Sequence, residues 1–300
     1  MINGIINVYK EKGFTSFDVV AKMRGMFHQK KIGHTGTLDP DAEGVLPVCL
    51  GKATKVCDLL TDKDKEYKAV LLLGKETDTQ DISGEILNER EVTVSKEEVE
   101  AVILSFVGAY EQVPPMYSAL KVNGQKLCDL ARKGITVERK ARPVTIHHIE
   151  IISIQLPEVE MVVSCSKGTY IRTLCDDIGK KLGCYGCMKS LLRTKVDRFE
   201  ISSAYKLSEL EGLLQQPESE WDFIVPIDAV FEKYVAVTAD KGAQKLVNNG
   251  NRIPDTLIVD FSQDKIQENV RLYDANNRFI GIYSYINESK EYKPIKLFME

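Results

Sequence analysis

The sequence has no apolar run long enough to cross a bilayer, and its start, MINGIINVYKEKG, lacks the charged opening, long apolar stretch and small-residue cleavage site of a secretory signal. A soluble, cytoplasmic protein with no membrane attachment is expected. Histidine and tryptophan are scarce, with 4 His and 1 Trp in 300 residues. The 7 cysteines are odd in number and scattered, which fits reduced thiols better than a disulfide framework. Cys184 and Cys187 make a C-x-x-C, but there is no second pair and His147-His148 is far off in sequence. A four-ligand metal site is therefore not expected, and the pair reads as small apolar filler around a glycine-containing turn. No internal repeat or low-complexity tract is present, and 43% hydrophobic content is enough for a packed core, in one large domain or two of unequal size.

A strong charge of either sign is also missing. The net charge of −4 argues against a globally basic nucleic-acid surface. The distribution is uneven, however. Between Lys121 and Arg142 stand 7 basic residues against Asp129 and Glu138, and between Lys167 and Arg198 stand 8 against three aspartates, while acid concentrates over residues 58–100 and 209–232. A one-sided positive surface is compatible with the acidic total.

The patterning mixes helix and strand. Thr15-Ser16-Phe17-Asp18 reads as a capping box opening a helix to about Phe27, with Val19, Val20, Met23 and Met26 or Phe27 on one face. Ser95-x-x-Glu98 opens another, through Phe106. Residues 67–73 and 161–165 read as strands. Lys167-Gly168 then turns the chain, and Thr169 is expected to cap a helix holding Ile171, Leu174, Cys175, Ile178 and Leu182. Ser208-x-x-Glu211 marks a short helix. After a polar stretch at residues 215–220, a helix over residues 239–249 closed by Gly250 is expected. Strands over residues 256–261, 269–273, 279–285 and 295–299 follow, with a hairpin turn at Asp274-Ala275-Asn276-Asn277.

The densest chemistry lies in residues 33–44, GHTGTLDPDAEG. Asp39, Asp41, Glu43 and Gly44 imitate the start of a calcium loop, but position twelve, where a bidentate glutamate belongs, is Leu50. No Gly-Lys-Ser/Thr follows Gly33-x-x-Gly36, so the loop is not a phosphate-binding P-loop. Alone it reads as an ordinary surface turn, since Asp before Pro commonly initiates one.

Its surroundings change that reading. GHTGTLDPDAEGVLPVCLGKATK resembles the catalytic signature of the TruB family of tRNA pseudouridine synthases. Further blocks match in the family's order: DKEYKA at Asp64, PPMYSALKVNGQKL from Pro114, RKARPV from Arg139 and CSKGTYIRTLCDDIG from Cys165. The resemblance spans Ile5 to about Arg198. The C-terminal VRLYDANNRFIGIYSY with KPIKLF resembles, less distinctively, the PUA domain of bacterial members.

The resemblance implies an α+β fold: a catalytic domain, residues 1–230, on a bent, largely antiparallel mixed sheet, and a small C-terminal β-barrel (PUA) domain, residues 231–300. It implies isomerisation of uridine 55 in the T-loop of tRNA to pseudouridine, by a cofactor-free, metal-free monomer whose partner is the tRNA T-arm. No obligatory protein partner is expected, and assistance to tRNA folding is a second use of the same cleft. Asp39 matches the catalytic aspartate; one ionised carboxylate can attack the sugar or base, or remove a ribose proton. Water must be kept from the intermediate, so Asp41 and Glu43 are not assigned as its partners and read as turn or solvent-facing residues. Arg172 matches the arginine that pairs with the aspartate, holding it ionised and oriented. Tyr67 matches the tyrosine that stacks on the target base, and Leu191 an apolar residue that closes the pocket. Because the uridine must leave a folded loop, something must prop the vacancy, and His34 matches the residue that inserts there. Lys10, Lys55, Lys121 and the RKAR stretch are expected at phosphates, and Tyr170 at the substrate. The chain departs from the pattern at Leu192, where many members carry arginine, and at Glu11, which replaces the usual proline.

Overall fold

The computed structural model describes residues 1–218, 221–259 and 268–299. A ten-stranded sheet forms the larger body. Its order is Ile224–Val225, Gly4–Lys10, Glu43–Leu50, Gly186–Val196, Lys65–Leu73, Glu158–Cys165, Arg142–Gln155 and Gly108–Gln112, with Ile32–His34 also paired to Glu43–Leu50 and Phe199–Glu200 to the end of Gly186–Val196. The strand pairs are antiparallel except where Glu43–Leu50 meets Gly186–Val196. Strand Lys65–Leu73 is central, with alternate residues buried, the period-2 signature of a sheet covered chiefly on one face.

At the parallel junction the register sets five residues in one row. Lys10 pairs with Gly44, Gly44 with Arg193, Arg193 with Tyr67, and Tyr67 with Val163. Gly44 is required there. Its φ is +105°, and a Cβ would lie 2.2 Å from the Arg193 carbonyl oxygen.

Helices Lys96–Leu104 and Ile171–Lys181 cover one part of the sheet, burying Val99, Ile103, Leu174 and Ile178 against Ala69, Leu71 and Met161. Helix Ile171–Lys181 lies very close to strand Gly186–Val196, because Gly179 leaves no side chain in the gap; a Cβ there would stand 2.1 Å from the Gly186 nitrogen. Helices Ser16–Met26 and Leu207–Leu213 bury Val19, Val20, Met23 and Leu210 against Ile6, Val8 and Leu46. Both expected capping boxes, Thr15/Asp18 and Ser95/Glu98, are present. Residues 114–139 form a projection, with hairpin Lys121–Val122/Gln125–Lys126, helix Leu127–Ala131 and a small core of Met116, Leu127 and Leu130.

A second, barrel-like sheet of six strands runs in the order Ile253–Pro254, Glu291–Leu297, Phe279–Ile286, Val270–Tyr273, Val235–Ala239, Ile258–Val259, around Val237, Val270, Leu272, Ile280 and Tyr283. Its turn at Asp274 is as expected, with Asn277 at φ +60° and the Asp274 side chain accepting from the Asn276 and Arg278 amides. Phe231, Phe279 and Phe298 pack ring on ring and join this sheet to Ile5, Val45 and Val196 of the larger one.

Four local expectations need correction. Thr169 does not cap its helix: its hydroxyl donates back to the Ser166 carbonyl at 2.9 Å, and Tyr170 is the N-cap residue, with no side-chain cap. Helix Leu207–Leu213 starts two residues earlier than Ser208/Glu211 suggested, with Glu209 accepting from the Lys206 amide. Ala239 ends a strand, because Asp240 caps the chain into a 3-10 turn, Lys241–Ala243, and the helix proper is only Gln244–Asn248. The expected strand over residues 256–261 is present only as Ile258–Val259; residues 260 and 261 lie outside the described residues.

Gly44→Ala is expected to lower stability by roughly 3 kcal/mol or more, since the new methyl group meets backbone on a strained φ and neither strand can yield. Urea unfolding checks this; a loss below about 0.5 kcal/mol would contradict the tight junction.

Candidate active site

The loop of residues 35–42 is fixed at both ends and in the middle. The Thr35 amide donates to the Pro47 carbonyl at 3.1 Å, and the Leu38 amide to Ser16 Oγ at 2.9 Å. The Gly13 amide donates to the Pro40 carbonyl at 2.9 Å. Leu38 and Ala42 point into the core, so Asp39, between them, is turned outward with its side chain 40% exposed.

Arg172 meets it from beneath, 5% exposed. Its Nε lies 2.9 Å from Asp39 Oδ2 and its Nη2 donates to Oδ1 at 3.3 Å, a two-pronged grip on both oxygens. The remaining donors are also used: Nη1 gives to the Thr79 carbonyl at 2.9 Å and Nη2 to the Tyr117 carbonyl at 2.8 Å. The arginine stands in the first turn of helix Ile171–Lys181, where a cation opposes the helix dipole, and the carboxylate offsets that. Asp81, not anticipated from the sequence, is a second carboxylate 3.8 Å from Arg172 Nε. Its own Oδ1 accepts from Thr79 and Ser83, so it is held in place. A D-x-x-G turn following two threonines was the available signal for it.

Asp39 and Arg172 open onto a cleft of about 1050 Å³, whose wall also includes His34, Asp81, Tyr117, Leu191 and Leu192. Asp41 is exposed and Glu43 half-buried on the same wall, the latter accepting from the Tyr9 hydroxyl at 3.3 Å. His34 closes strand Ile32–His34; burial, and secondarily Arg193, holds its imidazole below the ordinary pKa, and its Nδ1 has no protein partner. Tyr67 is 9% exposed and lies off the wall; burial pushes its phenol upward, against the pull of Arg193.

Arg193, which the sequence reading passed over between Leu192 and Thr194, is 1% exposed. Its Nε donates to the Val45 carbonyl at 2.7 Å and its Nη2 to the Gly36 carbonyl at 3.3 Å, tying the loop of residues 35–42 to the sheet. The signal was alternation: Leu191 and Arg193 are two apart in one strand, so both side chains lean to the same face.

The structure places the cations expected at phosphates, and Tyr170, in different settings. Lys10 is completely buried, and its ammonium donates to the carbonyls of Glu11, Phe14 and Pro40 at 3.2, 2.6 and 3.1 Å, leaving no N–H for RNA. Burial lowers its pKa to about 8, with Asp39 and Glu43 opposing. Lys55 donates to the Leu297 carbonyl at 2.7 Å, bridging to the second sheet. Lys121 is exposed on the projecting hairpin but is not part of the cleft wall. In the RKAR stretch, Arg139 donates to the Pro114 carbonyl at 3.1 Å. Tyr170 is clamped at its backbone, its amide and carbonyl both bonded to the Gln112 side chain at 2.7 and 3.0 Å. Besides Arg172, the lysines and arginines that line the cleft are Lys12, Lys68, Lys126, Arg132 and Lys189. Among the described residues no cluster of His, Cys, Asp or Glu is arranged to hold a metal ion.

Lys10→Met is expected to destabilise the protein by roughly 2–4 kcal/mol, because three buried carbonyls lose their donor together. Chemical unfolding reads this directly, and an unchanged midpoint would show that the ammonium is not the anchor of residues 11–14 and Pro40.

A family model described as TruB family pseudouridylate synthase (N terminal domain) matches residues 24–171, and one described as tRNA pseudouridylate synthase B C-terminal domain matches residues 172–232. The tRNA pseudouridine synthase B of Lachnoclostridium phytofermentans is 52% identical over 308 aligned residues, covering 99% of this chain and 100% of the relative. That of Alkaliphilus oremlandii is 47% identical over 296, covering 99% and 97%. Among solved structures, a chain in the crystal structure of a Cbf5-Nop10-Gar1 complex superposes with a TM-score of 0.72 at 26% identity, covering 99% of this chain and 85% of that one. Identity near one half along almost the whole length, on the same sheet framework, leads to one conclusion: the chain belongs to the TruB family of pseudouridylate synthases.

Proposed function

We propose that this protein isomerises the T-loop uridine of tRNA, position 55 in the conventional numbering, to pseudouridine, with Asp39 as the catalytic carboxylate. The observation that carries the proposal is the cleft-facing Asp39 held through both oxygens by the buried Arg172. The reaction breaks the bond between C1′ and N1, turns the detached uracil and joins C5 to C1′. N1 gains a proton and C5 loses one, so the product is an isomer. A carboxylate fixed from behind by a guanidinium presents its free lone pairs to the cleft without having to reorient as charge shifts during bond breaking.

The other roles follow from position. A flipped uridine enters above Asp39, with Leu191 on the wall as its apolar cover, and Tyr67, buried behind the wall, is the aromatic ring that the seated base meets. The raised Tyr67 phenol stays protonated near neutral pH, which favours contact with the base over action as an ionised base. His34, uncharged near neutral pH and carrying a buried nitrogen without a partner, suits insertion into the vacated loop. Lys12 and Lys126, both on the cleft wall, suit backbone phosphates. In this reading residues 1–230 are the catalytic part and residues 231–300 a PUA-like RNA-binding part. The protein acts as a cytoplasmic monomer on tRNA, without metal or cofactor.

The test is release of tritium from uracil C5 of an unmodified tRNA. Wild type is expected to release one equivalent, in EDTA as well as without it. Asp39→Asn is expected to lose activity by roughly 10³-fold or more while still binding the tRNA. Arg172→Lys should lose about 10²-fold, because an ammonium cannot grip both oxygens. Full activity of Asp39→Asn would overturn the assignment. Retention of tRNA folding assistance by that variant would separate the second use of the cleft from the chemistry.

A further inference from the structure

We infer that Gln80 is a positioning residue for this reaction, acting through Arg172: its carboxamide pins the loop of residues 77–83 to the helix that carries the arginine. The inference rests on the Asp39–Arg172 reading above.

Two of the groups around Arg172 come from the residues on either side of Gln80. The Thr79 carbonyl accepts from Nη1 at 2.9 Å, and Asp81 Oδ2 stands 3.8 Å from Nε. Gln80 contributes no bond to the arginine itself. It spans instead to the same helix, where Nε2 donates to Asp176 Oδ2 at 2.8 Å and Oε1 accepts from Thr173 Oγ1 at 2.7 Å. Thr173 follows Arg172 directly and Asp176 lies one turn on, so the carboxamide grips the helix beside and below the arginine. On the main-chain side the Gln80 amide donates to the Thr77 carbonyl at 3.2 Å and its carbonyl accepts from the Met188 amide at 3.0 Å. Loop, helix and strand Gly186–Val196 therefore meet at one residue.

The residue type suits the position through its side chain and not its backbone. Gln80 has φ +63°, a left-handed conformation that favours glycine. A neutral amide offers an acceptor to the threonine hydroxyl and a donor to the aspartate at once. Asp176 is 2% exposed, and its charge is met by Lys180 Nζ at 2.8 Å, which also lies 3.0 Å from Glu76. A carboxylate in place of the amide would face Asp176 with like charge, and an apolar side chain would leave Thr173 and Asp176 each short of a partner.

Gln80→Gly tests this, because glycine suits the backbone and deletes only the pin. In single-turnover tritium release with the full-length protein, its rate is expected to fall roughly tenfold or more, with the tRNA Kd within about threefold of wild type and the melting temperature not lowered. Gln80→Glu should fall at least as far, and Gln80→Glu combined with Asp176→Asn, which exchanges donor and acceptor, should recover most of the rate. A wild-type rate for Gln80→Gly, a loss confined to Kd, or no recovery in the exchanged pair would overturn the inference. Asp39→Asn is run alongside: normal turnover by that variant would sink the underlying site assignment instead.

Discussion

A guanidinium 5% exposed, gripping a carboxylate 40% exposed, is the constraint around which this molecule is organised. Burying an arginine is costly unless each donor finds an acceptor, and no single element near Arg172 could supply them all. The acceptors come from three separate segments: Asp39 in the loop after strand Ile32–His34, Thr79 in the loop of residues 77–83, and Tyr117 at the base of the projection. Satisfying one side chain therefore fixes the mutual placement of three loops.

Two further buried cations work in the same way beneath the loop. Lys10 and Arg193 share a register row with Gly44 and Tyr67, and both are tied to backbone carbonyls. The glycine in that row admits the close strand crossing, and the crossing brings Arg193 under the loop at Gly36. Positive charge is thereby concentrated below a loop that carries Asp39, Asp41 and Glu43, and it acts on its neighbours. It helps hold His34 uncharged and draws the phenol of Tyr67 toward ionisation against the stronger effect of burial.

Local chemistry was readable from the sequence. The capping boxes at Thr15 and Ser95, the alternation in strand Lys65–Leu73 and the Asp274 turn each depend on residues within a few positions of one another. The loop of residues 33–44 was legible as a family block, and Asp39 and Arg172, 133 residues apart, do meet. What escaped was decided by distant partners. A lysine after a strand reads as solvated, and only the fold of residues 11–14 and Pro40 over its ammonium reveals that Lys10 is internal. Arg193, Asp81 and Gln80 are ordinary polar letters until sheet register sets Arg193 under the loop at Gly36 and helix packing sets Asp81 and Gln80 beside Arg172 and its helix. Thr169 and Ser208 failed as caps because each cap is settled by where the first helical turn packs; a hydroxyl one or two positions away does not decide it.

The most direct measurement is a structure of the Asp39→Asn protein bound to a tRNA T-arm carrying an unmodified uridine at the target position. The account predicts that this uridine is flipped out of the loop into the cleft, with its C1′ within about 3.5 Å of the residue 39 side chain and Leu191 over the base. A T-arm seated elsewhere, or a target uridine still stacked in its loop while the cleft is filled by other nucleotides, would contradict it.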